Sequence, residues 1–394
     1  MKVTKERINN IERFNESSFL TKEEIQKAID LAINKIDKNI SLLGEKYPTP
    51  ATENNEYKKI DNIEWTNGFW TGMLWLCYEE TGDKKYKILA EKHVDDFLNR
   101  IENNIEVEHH DLGFLYILSC VSSYKLTGNE KAKKAALLAA DKLVTRYQEK
   151  GEFIQAWGEL GAKDNYRLIV DCLLNIPLLY WASEETKDSK YRDIAKKHYK
   201  TTINNAIRED SSAFHTFYFD SETGEPVRGK TRQGYSDDSS WARGQAWLIY
   251  GIALNYTYLH NEEDIDLFES VTNYFLNRLP KDFVPYWDLI FGEGSEQSRD
   301  TSAGAIAICG MNQMCNFLPE TNEYKKIYRN AQHLILRNLI ESYTEIKADG
   351  IISLINEGVY SWHSGKGVNE GNIWGDYYYL ESLIRFKKYW NMYW

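Results

Sequence analysis

The sequence predicts an all-α fold, an (α/α)6 toroid, on three observations. A unit of about 35 residues recurs five times as an apolar segment, a polar turn and an amphipathic segment, the pattern of stacked helix pairs. The chain opens on one unpaired amphipathic segment and closes on one unpaired apolar segment, so its ends complete a sixth pair and shut a ring. No Pro-, Gly- or Ser-rich linker divides the 394 residues. Although that length gives a prior of two or three domains at about 150 residues each, residues 1–394 therefore read as a single domain.

The elements follow in order. Thr21 and Glu24 form a capping box, with Leu20 and Ile25 as its staple, so an outer helix starts there. The first pair is NGFWTGMLWLCYEE, a TGD turn and KKYKILAEKHVDDFLNRI. In the latter, Tyr86, Leu89, Ala90, Val94, Phe97 and Leu98 make one apolar stripe with Lys and Asp opposite, as on an outer helix. The second pair starts DLGFLYILSCVSSYKL, the third DCLLNIPLLYWASEE, the fourth ARGQAWLIYGIALNYTYL and the fifth TSAGAIAICGMNQMCNFL. These first members are apolar nearly all round and hold all five cysteines, as inner helices buried on every side do. GDYYYLESLIRFKKYW is the closing inner helix.

Inner-to-outer turns take three or four residues, but the outer-to-inner connections at 149–170, 207–240, 280–300 and 344–374 are long. Such loops are uncommon unless functional, and all fall where inner helices begin, so function is expected at that rim. His215, Phe217 and Phe219 alternate with Thr216, Tyr218 and Asp220 before the turn-like SETGEP, which predicts a small β-hairpin over the mouth.

Composition narrows the classes. With 48 basic and 59 acidic residues the net charge is -11, against a general nucleic-acid or anionic-membrane surface. Hydrophobic residues at 42% and aromatics at 14% suffice for a large core, which excludes disorder and small disulfide scaffolds. Five cysteines without CxxC spacing read as reduced and buried. The N-terminus has no apolar signal core and no stretch reaches the ~20 apolar residues of a membrane span, so a soluble cytoplasmic protein is expected.

Asp111 and Asp171 open the second and third inner helices. Each alone suits a helix N-cap; together they suit a glycosidase-type carboxylate pair. Arg243 stands in a helix's first turn, where a cation opposes the macrodipole and needs an anion, either a nearby Asp or a substrate. Trp241 and Trp247 beside it offer flat faces for sugar rings. His109 and His110 are adjacent, so they diverge and do not chelate one metal as an i, i+4 pair does. There is no HExxH, EF-hand, cysteine cluster, P-loop, G-x-G-x-x-G or G-x-S-x-G, and neither metal nor cofactor is expected.

From Trp65 to Trp374, the run WARGQAW, the segment HHDLGF, the Asp171 helix start and the six-hairpin layout resemble the unsaturated glucuronyl hydrolases, which are six-hairpin glycosidases. The resemblance implies an enzyme that removes the unsaturated uronic acid left by polysaccharide lyases at the non-reducing end of oligosaccharides, with an unsaturated glycosaminoglycan fragment as its partner. It implies Asp171 as general acid/base, Asp111 as its partner near the sugar hydroxyls, and Trp65, His110, Trp157, His215, Gln233, Arg243 and Trp247 around the substrate. Other readings of the same residues are an unsaturated rhamnogalacturonyl hydrolase, a six-hairpin sugar epimerase and a helical-repeat binding protein. An acid at Asp171 carries a conflict: a helix N-terminus favours its anion, whereas burial and repulsion from Asp111 favour its protonated form.

The loop YSWHSGKGVNEG places Ser361, Ser364 and Lys366 within six residues, beside Gly365 and Gly367. Two hydroxyls and an ammonium suit a tetrahedral oxyanion; the plainer reading is a solvated polar loop. The pattern is similar to the Ser-x-x-Ser-x-Lys of family members acting on sulfated glycosaminoglycans, which implies sulfated chondroitin-type disaccharides as substrate.

Overall fold

The computed structural model describes residues 3–15 and 19–394. Helix α1 (Lys22–Leu43) starts at the expected capping box: the Thr21 hydroxyl accepts from the Glu24 N–H and the Glu24 carboxylate accepts from the Thr21 N–H. Leu20 and Ile25 are both buried. Helices α2 (Asn67–Thr81) and α3 (Lys84–Glu102) form the first hairpin. Its turn is short because Gly82 takes a left-handed φ of 71° and Asp83 caps the Lys85 N–H. The α3 stripe is buried through Tyr86, Leu89, Ala90, Val94 and Phe97, with Leu98 half-buried at its edge.

The second inner member is not one continuous helix. It runs as α4 (Leu112–Tyr116), a π-helical turn at Ile117–Val121 and α5 (Ser122–Thr127), followed by outer helix α6 (Glu130–Val144). Hydroxyls of Ser119 and Ser122 donate back to the carbonyls of Leu115 and Leu118 around that turn, competing with the regular helical ladder. The third inner member differs too. Val170–Leu174 is a 3-10 turn, and α7 (Pro177–Thr186) begins only at Pro177, whose missing N–H suits the first helical position. Asp171 is therefore the second residue of a tight turn and not the N-cap of the third inner helix. The remaining helices are α8 (Ser189–Asn205), α9 (Ala242–Leu259), α10 (Glu263–Asn277), α11 (Thr301–Cys315), α12 (Lys325–Tyr343) and α13 (Ile373–Lys387).

Inner members pack neighbour to neighbour around the axis. Helix α13 touches both α2 and α11, which closes the ring, and α1 lies against α13 as the outer half of the sixth pair. Helix α9 is buried at every residue from Ala242 to Tyr256, as an inner position demands. All five cysteines are buried and free. Among the described residues no helix is long and apolar enough to cross a membrane.

Short antiparallel pairs sit in the connections: β1 (Tyr47–Pro48) with β2 (Lys59–Ile60), and β3 (Tyr147–Gln148) with β4 (Phe153–Ile154). The expected hairpin is present as β6 (Thr216–Phe219) and β7 (Pro226–Lys230), widened by β5 (Arg167–Ile169), which pairs the other edge of β6. Phe153, Tyr166, Leu168, Ala206 and Phe219 form a small core of their own under this sheet. A second hairpin joins β8 (Gly358–Ser361) to β9 (Lys366–Glu370), with Ser361 and Lys366 as its last rung. Its tip turns through positive φ at Gly365 and Gly367, 68° and 57°.

The start of α4 approaches the turn before α7 very closely. A Cβ on Gly113 would lie 2.3 Å from the Asn175 Cα. Gly113→Ala is therefore expected to lower the thermal unfolding midpoint, at a cost of about 1–3 kcal/mol from overpacking, and to impair turnover by spreading Asp111 from Asp171. A wild-type midpoint and wild-type turnover in that variant would show that the approach is not needed.

Candidate active site

The long connections enclose a cavity of about 390 Å³ whose walls include Trp65, Trp157, His215, Gln233 and Tyr360, with Asp111 and Asp171 at its floor. Another cavity, about 450 Å³ between α1, α11, α12 and α13, is lined by cationic, amide and apolar side chains with no carboxylate. The first holds the buried pair Asp111 and Asp171.

The Asp111 carboxylate faces His110 and Asn175. His110 Nε2 lies 3.4 Å from Asp111 Oδ1 and 3.5 Å from Asp171 Oδ1. The ligand-type atoms of these three groups all fall within 4.8 Å of one another, so they are also the residues that could hold a cation. His109 approaches Asp111 at its other oxygen, with Nδ1 3.5 Å from Oδ2. Its Nε2–H donates to the Glu106 carbonyl, its Nδ1 accepts the Asp111 N–H, and its ring stacks on Trp157 at 4.4 Å. Asn175 Oδ1 accepts the Phe114 N–H at 2.9 Å, which leaves its amide N–H groups toward Asp111 Oδ1 at 3.5 Å and the Asp171 carbonyl at 3.4 Å.

These surroundings decide the protonation conflict. Burial, then repulsion from Asp111, push the Asp171 carboxyl well above its usual range; the N–H groups of Asp171 and Cys172 and the Arg243 charge oppose this and lose. Burial pushes Asp111 up to about 7 against the pull of Trp157 and Asn175. Burial, then the neighbouring His109, hold His110 far below the ordinary imidazole value, so it stands neutral between the acids. The Asp171 side chain is 16% exposed and that of Asp111 only 3%, so the carboxyl open to the cavity is mainly Asp171.

His215 Nδ1 accepts the N–H groups of Arg232 and Gln233, which puts its proton on Nε2. Trp65 Nε1–H donates to the Tyr360 hydroxyl, joining two walls. Arg243 is placed behind the wall. Its compensating anion is Asp300 at 2.7 Å, fully buried, and the guanidinium also donates to the carbonyls of Val359 and Tyr360 and to Gln233 Oε1. It thus braces the β8–β9 hairpin and Gln233. Trp247 is not a sugar platform either. It is 1% exposed, packed between Phe114 and Tyr378 beneath the floor, because an inner helix buries that position on every side. His110 likewise lies under the acids and not on a wall.

The hairpin rung places Ser361 half-buried and Lys366 exposed, with the Lys366 Nζ 4.4 Å from the centre of the Tyr360 ring. The Ser364 hydroxyl donates to the Ser361 carbonyl. Sequence reasoning missed Tyr360, Arg232, Glu64, Arg167 and Ile169, all on the cavity wall. Three of these adjoin residues it did single out (Glu64 beside Trp65, Arg232 beside Gln233, Tyr360 beside Ser361), so the signal was the segment and not the residue type. Arg167 and Ile169 share one face of β5, which the alternation R-L-I alone was too short to reveal.

A family model described as Glycosyl Hydrolase Family 88 matches residues 40–391. The chain is 59% identical over 394 residues to the unsaturated chondroitin disaccharide hydrolase of Streptococcus pneumoniae (strain ATCC BAA-255 / R6), covering 100% of this chain and 99% of that one. It superimposes on a crystal structure of unsaturated glucuronyl hydrolase from Streptococcus agalactiae with a TM-score of 0.99 at 60% identity, over 100% of this chain and 99% of the other. A mutant of the Streptococcus agalactiae enzyme complexed with dGlcA-GalNAc6S matches with a TM-score of 0.91 at 55% identity, again over 100% and 99% of the two chains. With a six-hairpin ring, an acid pair at its mouth and these relatives along its whole length, the chain belongs to glycosyl hydrolase family 88, among the unsaturated glucuronyl hydrolases.

Proposed function

We propose that this chain, acting as one catalytic domain, hydrolyses unsaturated glucuronyl disaccharides of the sulfated chondroitin type. The observation that carries the reading is the pair of buried carboxyls beside neutral His110 at the cavity floor, with Asp171 pushed well above its usual range. Its relatives support the substrate: one is an unsaturated chondroitin disaccharide hydrolase, and a mutant of another was solved with dGlcA-GalNAc6S. Five buried, unbridged cysteines support a reducing compartment, the cytoplasm.

In such a substrate the C4=C5 bond is a vinyl ether conjugated to a carboxylate. The Asp171 carboxyl gives its proton to C4, and positive character develops at C5, shared with the ring oxygen. Water adds to C5 and returns its proton to the Asp171 carboxylate, so one carboxyl serves as acid and then as base. The C5 hemiketal opens to a ketone, and C1, now a hemiacetal, expels the amino sugar. An ordinary glycosidase needs two carboxyls engaged at C1 and its leaving oxygen. Here one is open and the other nearly covered, which fits hydration better. Asp111, hydrogen-bonded by its own surroundings, holds sugar hydroxyls and keeps the Asp171 proton in place by repulsion. Trp65 and Trp157 flank the ring, and His215 Nε2–H and Gln233 supply donors from the wall.

Beyond the scissile bond, Ser361, Ser364 and Lys366 hold the sulfate of the amino sugar. A hydrogen bond to a charged group contributes about 1.5–3 kcal/mol. Lys366→Ala is thus expected to lower kcat/KM for the sulfated disaccharide by roughly 10- to 100-fold, with the unsulfated one little changed. Equal losses on both would make Lys366 structural.

Asp171→Asn keeps the size of the side chain, so folding survives while kcat drops by about 10²–10⁴, read as loss of double-bond absorbance. Near-normal turnover with an intact circular dichroism spectrum would remove Asp171 from the chemistry.

The acid must be protonated, so activity is retained below the pKa of the pair and falls as pH rises through it. Repulsion from Asp111 is part of what holds that pKa up. Removing the charge in Asp111→Asn moves the alkaline limb of the residual activity to lower pH. An unmoved limb, or one moved upward, would show that Asp111 does not set the protonation of Asp171.

A further inference from the structure

The cavity floor holds polar atoms that the protein itself leaves unpaired. Both ring nitrogens of His110, and Oδ1 of Asp171, are shut off from solvent with no hydrogen-bond partner among the described residues. Buried groups of this kind are costly unless something satisfies them. The His110 Nε2 stands 3.4 Å from Asp111 Oδ1 and 3.5 Å from Asp171 Oδ1. A ring N–H bonded to a carboxylate closes to about 2.7–3.2 Å, so neither contact is a hydrogen bond.

The spacing suits a metal ion instead. Zinc takes imidazole nitrogen and carboxylate oxygen at about 2.0–2.2 Å in a tetrahedron. Neighbouring ligand atoms on a tetrahedron of that size lie about 3.3–3.6 Å apart, where Nε2 and the two oxygens stand. All three ligand atoms fall within 4.8 Å of one another, within reach of one ion. Asp171, whose side chain is 16% exposed against 3% for Asp111, is the member free to draw in. Charge fits as well. Two carboxylates and a neutral imidazole balance a divalent cation, which also removes the repulsion between the carboxylates. The Arg243 charge opposes this, but Asp300 offsets it at 2.7 Å. One imidazole with two carboxylates favours zinc over Mg²⁺ and Ca²⁺, which need about six or more oxygen ligands.

We infer that His110, Asp111 and Asp171 form an inhibitory site for a divalent cation of the zinc class. The ion takes the place of the Asp171 proton, which leaves to solvent, and it blocks the cavity floor against the disaccharide. It is an inhibitor and not a cofactor. The inhibition rests on the proposed reading of Asp171 as the acid, whereas the binding does not. Affinity is limited because His110 Nδ1 has no carbonyl or carboxylate to hold its proton, the support that strong zinc sites give their imidazoles.

The test titrates the protein with Zn²⁺ by calorimetry and follows disaccharide turnover over the same concentrations. One equivalent per chain is expected, with turnover lost in step with occupancy and competitively with the disaccharide. Mg²⁺ and Ca²⁺ at those concentrations should leave turnover unchanged. Co²⁺ bound in place of Zn²⁺ should show the strong visible absorbance of tetrahedral coordination. His110→Ala and, independently, Asp171→Asn should weaken Zn²⁺ binding by at least about 10- to 100-fold, the cost of losing even a group that only orients a ligand. If His110→Ala fails to fold, Asp171→Asn and the Co²⁺ spectrum still decide. Zn²⁺ affinity unchanged in Asp171→Asn would overturn the site and place the ion elsewhere on the chain. Absence of Zn²⁺ binding to the wild type, or equal inhibition by Mg²⁺ or Ca²⁺, would overturn it too. Zn²⁺ bound to the wild type and lost in Asp171→Asn, yet harmless to turnover, would keep the metal site and remove Asp171 as the acid.

Discussion

Two carboxyl groups held within 5 Å of each other in a dry site cannot both ionise cheaply, and the arrangement of the mouth follows from imposing that condition. Unit charges about 5 Å apart repel by about 3 kcal/mol at an effective dielectric near 20. A helix terminus stabilises an anion by only about 0.3–1 kcal/mol when exposed. Repulsion and burial therefore outweigh the backbone N–H groups at Asp171, as the direction of its shift records. The close approach needs Gly113, where any side chain meets the Asn175 backbone. It also needs irregular helix starts: a 3-10 turn carries Asp171, and a π-helical turn follows α4 after Asp111.

A long connection is a poor mount for a binding residue unless something pins it, and here buried ions do the pinning. Arg243 reaches from α9 to Asp300 at the end of the 280–300 connection, to the β8 carbonyls of Val359 and Tyr360, and to Gln233. Removing one partner of a buried ion pair costs about 3–5 kcal/mol, so these loops are fixed from within. The 344–372 connection is held a second time. Lys35 of α1 donates to the carbonyls of Thr344, Ser353 and Leu354. Asp376 of α13 accepts from Tyr57 and from the N–H groups of Leu354 and Ile355. The rim is irregular in backbone yet anchored at both ends and its middle.

The ring was legible because its signals are periodic: an apolar stripe on α3, all-round burial of α9 and short polar turns between them have one physical cause each. The acids were legible as a pair because two inner segments begin on Asp. Arg243 announced that it needed an anion, and Asp300 answers it. The rest was hidden for definable reasons. All-round apolar composition carries no facing information, so Trp247 looked like a platform although it lies a turn deeper than Arg243, under the floor. No propensity marks the π-helical turn at Ile117–Val121. The β8–β9 hairpin hid in a polar segment because its turn depends on positive φ at Gly365 and Gly367, while its strands are too short to alternate visibly. Tyr360 and Arg232 face the cavity through the geometry of those turns, which no residue-type argument reaches.

A site for an anionic sugar must attract negative charge and still keep an acid protonated, and cations near the acid serve the first aim at the expense of the second. Arg243 does lower Asp171, and it is the cation that Asp300 neutralises at 2.7 Å. The exposed cations Arg232 and Lys366 sit instead on the wall and lip, where solvent screens their effect on the floor. A chain of net charge -11 still presents positive groups at its mouth. Once the proposed substrate is seated, its conjugated carboxylate adds another negative charge beside the carbon that takes the proton. That charge pushes the Asp171 pKa further up, so binding reinforces the protonation state that the reaction uses.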